Sequence, residues 1–179
     1  MNHPVPVRRA PAPLATWGGQ TERTFYLGID PGFSSGSASL VDDKGRVLIN
    51  GEGFLRSIQF EKATEHEIDE WFAGLSQLPG RLVAALEKVR SMPGQGVAST
   101  FKFAWSYGFL RGLLTGRKIR YLEPTPQEWQ GKLKCLTKGD KRITRARAQE
   151  RWPSLANQIN NSVADSLLIA DWLRLYGGL

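Results

Sequence analysis

Two short apolar runs, Phe25–Ile29 and Leu82–Leu86, each end on a carboxylate, Asp30 and Glu87. Continuous apolar runs of this length between turn residues mark strands buried on both faces of a sheet. A buried strand holds its last side chain more rigidly than a loop does. Asp30 runs directly into Pro31-Gly32 and a Ser/Gly-rich stretch reaching Ser37, whose small residues let a second backbone or a phosphate come close. Taken alone, Asp30 is either a turn-closing carboxylate or a cation ligand, and only partners elsewhere in the chain separate these readings.

The pattern around these runs predicts an α/β fold, a mixed sheet flanked by helices. Strands are expected over residues 25–30, 36–41 and 46–52 as a meander, with Asp42-Asp43-Lys44-Gly45 as a turn. Ala63, Ile68, Trp71, Phe72 and Leu75 recur at helical spacing and predict a helix over 61–76 that Pro79-Gly80 stops. A strand over 81–87, a helix over 97–115, a strand over 118–122, a basic helix over 140–151 and a final helix over 161–176 complete the order. In the 97–115 helix, Ala104, Gly108 and Gly112 stand four apart beside Phe101, Trp105 and Phe109. Each internal glycine costs about 1 kcal/mol relative to alanine, so the row implies close approach of another backbone, either the sheet or a second subunit, with core packing the favoured cause. Residues 1–24 hold four prolines and no period, and read as a disordered tail before one domain over 25–179.

The charge is unevenly spread. The chain carries a net +7, and residues 117–151 alone contain 11 Lys/Arg against Glu123, Glu128, Asp140 and Glu150, which leaves the remainder neutral. Such a segment suits a polyanion, and Lys138, Lys141, Arg142 and Arg145 are its candidate phosphate contacts, with a solvated basic face as the other reading. Phe33 and Phe54 are either core aromatics or platforms for unpaired bases. One cysteine, Cys135, and two histidines, His3 and His66, exclude an internal disulfide and argue against Cys- or His-built metal sites and Ser-His hydrolysis. No apolar run is long enough to span a bilayer. A cytoplasmic protein with no membrane partner is the expectation, and any chemistry must lean on carboxylates.

In an open α/β sheet, ligands bind outside the strand ends. If the strands ending at Asp30 and Glu87 are adjacent, a third acid from a helix across the sheet would complete an oxygen donor set suited to Mg²⁺, with Mn²⁺ able to substitute. Asp165 is the candidate, an acid within Ala164–Ala170 that is otherwise small and apolar. It is either such a ligand or an exposed acid on the polar edge of its helix.

Leu27-Gly28-Ile29-Asp30-Pro31-Gly32, the Leu86-Glu87 strand end, the helix holding Gly108, and the segment Asn161-Ser162-Val163-Ala164-Asp165-Ser166-Leu167-Leu168-Ile169-Ala170 together resemble the RuvC family of Holliday-junction resolvases. Met92-Pro93-Gly94-Gln95-Gly96 and Ser106-Tyr107-Gly108 are similar to its short phage and prophage members. The resemblance implies an RNase H-like fold, a homodimer, and paired Mg²⁺-dependent nicks across branched DNA that leave a 5′-phosphate and a 3′-hydroxyl. It implies Asp30, Glu87 and Asp165 as catalytic metal ligands. The family's further ligand, an acid or histidine one turn before the last acid, is here replaced by Asn161 and Ser162, of which Asn161 offers only a neutral oxygen. A weak or silent branched-DNA-binding module, or another RNase H-like nuclease, are the alternative expectations.

Overall fold

The computed structural model describes residues 23–32, 35–88 and 96–179. Nearly all of the tail expected over 1–24, together with Phe33 and Met92–Gln95, lies outside the described residues.

Five strands form one mixed sheet: β1 (Thr24–Asp30), β2 (Ser37–Asp42), β3 (Ser57–Gln59), β4 (Arg81–Leu86) and β5 (Arg120–Leu122), in the order β3-β2-β1-β4-β5. β1 pairs antiparallel with β2 and parallel with β4, and β4 pairs parallel with β5. The two apolar runs are therefore adjacent and run in the same direction. Their register pairs Ile29 with Leu86, and the amide of Glu87 donates to the Ile29 carbonyl at 2.9 Å, so Asp30 and Glu87 emerge side by side.

Side chains alternate across a sheet, and the alternation sorts the two faces. Phe25, Leu27, Ile29, Ala38, Leu40, Ala84 and Leu86 pack under α1 (Glu65–Gly74) and α2 (Val97–Gly116). Val41, Val83 and Ala85 pack instead with α3 (Pro126–Lys132), α4 (Arg142–Arg151) and α5 (Asn161–Tyr176). Asp30 and Glu87 share the parity of the second set. They therefore face the layer that carries Asp165.

α5 is buried from Ser162 to Asp171, on every side, because it lies between the sheet and the α3–α4 layer. Its approach to β1 is set by Gly28: a Cβ there would lie 2.0 Å from the Ser166 carbonyl oxygen and 2.3 Å from the Ala170 nitrogen. Beside this contact, the hydroxyl of Ser166 meets those of Ser37 and Ser39 at 2.7 Å each, and Ser37 donates to the Ser162 carbonyl at 2.8 Å. The residues that let helix and sheet touch are thus small, and their polar atoms are mutually satisfied.

Three expectations need correction. Residues 46–52 do not form a strand, because Asn50 turns the chain, its side-chain oxygen accepting from the amides of Glu52 and Phe54 at 3.0 and 2.9 Å; the edge strand comes later, at Ser57–Gln59. The first helix starts at Glu65 rather than 61, where Thr64 and Glu67 make a reciprocal capping box. The glycine row of α2 does not face the core: Gly108 and Gly112 are exposed and a Cβ at either would meet nothing within 4 Å. A helix absent from the expectation, α3, follows a second capping box between Thr125 and Glu128 with Pro126 at its first position.

Gly28→Ala should lower the stability by more than about 3 kcal/mol, since the clash is with backbone that cannot rotate away. Urea unfolding followed by circular dichroism measures this, and a midpoint within error of the parent would refute the contact as described.

Candidate active site

Asp30 ends β1, Glu87 follows β4, and Asp165 sits in the second turn of α5. The sheet parity aims the first two at the helix that carries the third. Asp30 and Asp165 are only 6 % and 8 % exposed. Two acids in so little water need a counter-charge. Lys141, immediately before α4, supplies it: its ammonium lies 4.0 Å from Asp30 Oδ2 and 3.6 Å from Asp165 Oδ2. Glu87 is held differently, with Oε1 accepting from the buried indole N–H of Trp129 at 2.8 Å. The Gly32 amide donates to Asp30 Oδ1 at 3.2 Å. Asp165 Oδ1 is buried and takes no hydrogen bond among the described residues.

The electrostatics follow from this packing. Burial, then repulsion from Asp165, pushes the Asp30 carboxyl up to about 6, opposed by Lys141 and the Gly32 amide. Burial, then repulsion from Asp30, pushes Glu87 up to about 8, opposed by the Trp129 hydrogen bond and Lys141. Asp165 is also raised by burial, against the lowering influence of Thr144 and Lys141. Carboxyl groups perturbed in this way, by burial and by one another, are a mark of functional sites.

The donor set fits a hard divalent ion in kind: carboxylate oxygens, one of them buried without a partner, and no sulfur or imidazole. It is not drawn together as a finished cage. Among the described residues, no three His, Cys, Asp or Glu side chains are grouped so as to hold one ion. Asp30 and Asp165 converge on one cation, the Lys141 ammonium, while Glu87 stands beside them on Trp129.

Of the two residues expected near Asp165, Asn161 is exposed at the start of α5, whereas the buried Ser162 donates its hydroxyl to the Gly36 carbonyl at 3.2 Å. Lys138, Arg142 and Arg145 are exposed on and before α4; the Arg142 guanidinium forms a two-point pair with Asp140. Phe54 is exposed on the β2–β3 connection. A third strand-ending acid, Glu123 after β5, has the opposite parity and lies on the α2 side, where it accepts from the Tyr107 hydroxyl and pairs with Arg111 at 3.4 Å. Reading the sequence missed Trp129 as a partner of Glu87, and placed Lys141 only among phosphate contacts. The Thr125-Pro126-Gln127-Glu128 signature carried the first signal, since it starts a helix whose next residue is Trp129.

Neither a known family model nor any curated protein matches the sequence. Solved structures do match its fold. The Thermus thermophilus RuvC in complex with a Holliday junction substrate superposes with a TM-score of 0.54 at 14% identity, covering 86% of this chain and 94% of that one. A second Thermus thermophilus RuvC structure gives 0.50 at 16%, covering 86% and 96%. The fold is RNase H-like. No described helix is long and apolar enough to cross a membrane.

The raised carboxyls set a pH dependence. Folded Asp30 and Glu87 keep protons that their unfolded forms release near 3.8 and 4.5, so their contribution to stability is full below about pH 4 and is lost as pH rises through about 6 and about 8. In EDTA the melting temperature should therefore fall from pH 5 to pH 8.5. Lys141→Met should steepen that fall. A melting curve independent of pH, or a variant with the parent's slope, would contradict the assignment.

Proposed function

We propose that the chain is a metal-dependent endonuclease that cuts four-way or otherwise branched DNA by phosphodiester hydrolysis, leaving a 5′-phosphate and a 3′-hydroxyl. The observation that carries this reading is the buried Asp30–Asp165 pair converging on a cation at the strand ends, with Glu87 alongside. The RNase H-like fold and the fold-level match to a RuvC bound to a Holliday junction substrate support it. So does the +7 segment that supplies Lys141 itself.

Asp30, Asp165 and Glu87 would hold Mg²⁺, or Mn²⁺ in its place, with Asn161 and Ser162 as the weakest candidates. Bound there, the ion supplies Lewis acidity and a water made nucleophilic at neutral pH. The chain's own residues divide the remaining tasks. Trp129 fixes the orientation of Glu87, Gly32 fixes that of Asp30, and burial raises the carboxyls of all three acids. Lys141, freed from the acids by such an ion, would meet a phosphate oxygen, and Lys138, Arg142 and Arg145 would extend that cationic surface along the backbone.

Paired cuts require two copies, and the exposed face of α2 is our candidate for joining them. Val97, Phe101 and Trp105 are exposed there, Phe101 and Trp105 with ring centroids 6.2 Å apart, beside the open glycine row. The acids' incomplete convergence favours a second reading, a branched-DNA-binding module that does not cut.

With a synthetic four-way junction, a duplex and an RNA/DNA hybrid, each in Mg²⁺ or EDTA, we expect paired, metal-dependent nicks in the junction alone. Asp30→Asn and Asp165→Asn should slow them by at least about 100-fold, the scale of a lost electrostatic stabiliser. Hybrid cleavage would shift the reading to another RNase H-like nuclease, and tight binding without cleavage in either metal would leave the binding module. Separately, Phe101→Glu with Trp105→Glu should convert a dimer to a monomer in sedimentation equilibrium without lowering the helix content. A parent protein that sediments as a monomer at micromolar concentration removes the α2 assignment.

A further inference from the structure

α4 carries cations on both flanks of its buried stripe. Thr144 and Ala148 face the core; at 3.6 residues per turn, Arg142 and Arg145 fall on one side of them and Arg147 and Arg151 on the other. The second flank closes a cavity of about 220 Å³ whose polar lining is Lys132, Lys134, Arg147, Arg151, Asp171 and Tyr176. The cavity's acid is already neutralised, Asp171 being held by Arg151 at 3.0 Å and by Arg174 at 2.7 Å. Glu150 takes Arg147 at 2.8 Å. Lys132 lies over the ring of Tyr176, 5.7 Å from its centroid, and neither it nor Lys134 is paired with an acid among the described residues. With Arg174 and Glu150 counted in, three positive charges remain in excess.

A second observation bears on Lys134. α3 ends in a Schellman turn, the Lys134 amide donating to the Gly131 carbonyl at 3.2 Å and the Cys135 amide to the Gln130 carbonyl at 2.9 Å. The left-handed residue of that turn is ordinarily glycine, yet here it is Lys134 at φ 56°. The other two non-glycine residues with positive φ among those described, Lys118 and Lys138, are also lysines of the basic segment. A long cationic side chain thus stands where the backbone favours none, and such strain persists where a position has another use.

We propose that this cavity is a phosphate-binding site contacted by Lys132 and Lys134. It takes a backbone phosphate of DNA that flanks the carboxylates, an assignment that rests on the nuclease reading for its ligand's source. Asp171 and Tyr176 lie six and eleven residues beyond Asp165 on the same helix, about 9 to 16 Å along its axis at 1.5 Å per residue. One DNA strand rises 3.4 Å per nucleotide, so this axial offset from Asp165 alone corresponds to about three to five nucleotides. It is distinct from the surface of Arg142 and Arg145, on the other flank of α4, and of Lys138 before that helix.

Lys134→Gly separates this role from a structural one, because it removes the charge and relieves the backbone together. Its melting temperature should equal or exceed the parent's. Duplex and junction affinity, measured in EDTA between 50 and 200 mM salt, should show a log–log salt slope shallower by about 0.9, and by about 1.8 for Lys132→Gln with Lys134→Gly. Because EDTA suppresses cleavage, this slope is readable even if the protein proves unable to cut. Inorganic phosphate titrated against the parent and the double variant, followed by ³¹P NMR, tests the other source of the same chemistry. Phosphate binding lost in the variant with an unchanged DNA slope retains the cavity as a site for free phosphate and removes the flanking-phosphate assignment. Unchanged slope together with unchanged phosphate titration overturns the proposal.

Discussion

The contact between α5 and β1 at Gly28 is the constraint from which the candidate site follows. A helix packed on a sheet normally stands off by the length of its side chains, and at that distance a short Asp on the helix would not reach the strand ends. Here backbone meets backbone, so close that a methyl group at position 28 would come within 2.0 Å of the Ser166 carbonyl. The serines at 37, 39, 162 and 166 close the gap on one side, and Ala170 continues the contact along the helix. Asp165 is carried inward by this approach. Its burial and its electrostatic influence on Asp30 and Glu87 are consequences of where α5 lies.

That placement creates a conflict that the rest of the site resolves. Three acids on adjacent elements, poorly hydrated, repel each other and resist ionisation. An amide, an indole N–H and one ammonium offset this, and they come from three different elements: the loop after β1, α3 and the turn before α4. The α3–α4 layer is thus more than a cover for the second face of the sheet. Its Trp129 holds Glu87, and its Lys141 is the one cation paired with Asp30 and Asp165 among the described residues.

Much of this was legible in the chain. The strand-ending acids were visible from the apolar runs, and their shared face follows from counting alternate residues back through Ala85 and Gly28. The last helix announced itself by small and apolar residues surrounding Asp165. What was hidden depended on contacts distant in sequence. The role of Lys141 arises from a fold that brings it to residues 30 and 165, which no local pattern encodes. The third strand was misplaced because Val47, Leu48 and Ile49 are apolar enough for a strand, while the Asn50 turn that interrupts them is a side-chain effect. The glycine row misled for another reason: a row of small residues reports a close approach, and the expectation assigned that approach to the core when the described structure leaves the face open.

Lys141 has a consequence for the order of events in the life of the protein. Small domains built around metal ions commonly fold only when the ion is present, because the free energy of binding it is what drives their folding. Here the counter-ion is part of the chain, tethered at the head of α4. The polypeptide carries its own cation against Asp30 and Asp165, and the domain is equipped to reach its native state without a metal. Under the proposed nuclease reading, loading would exchange that ammonium for the metal ion, a step that belongs to working life rather than to birth.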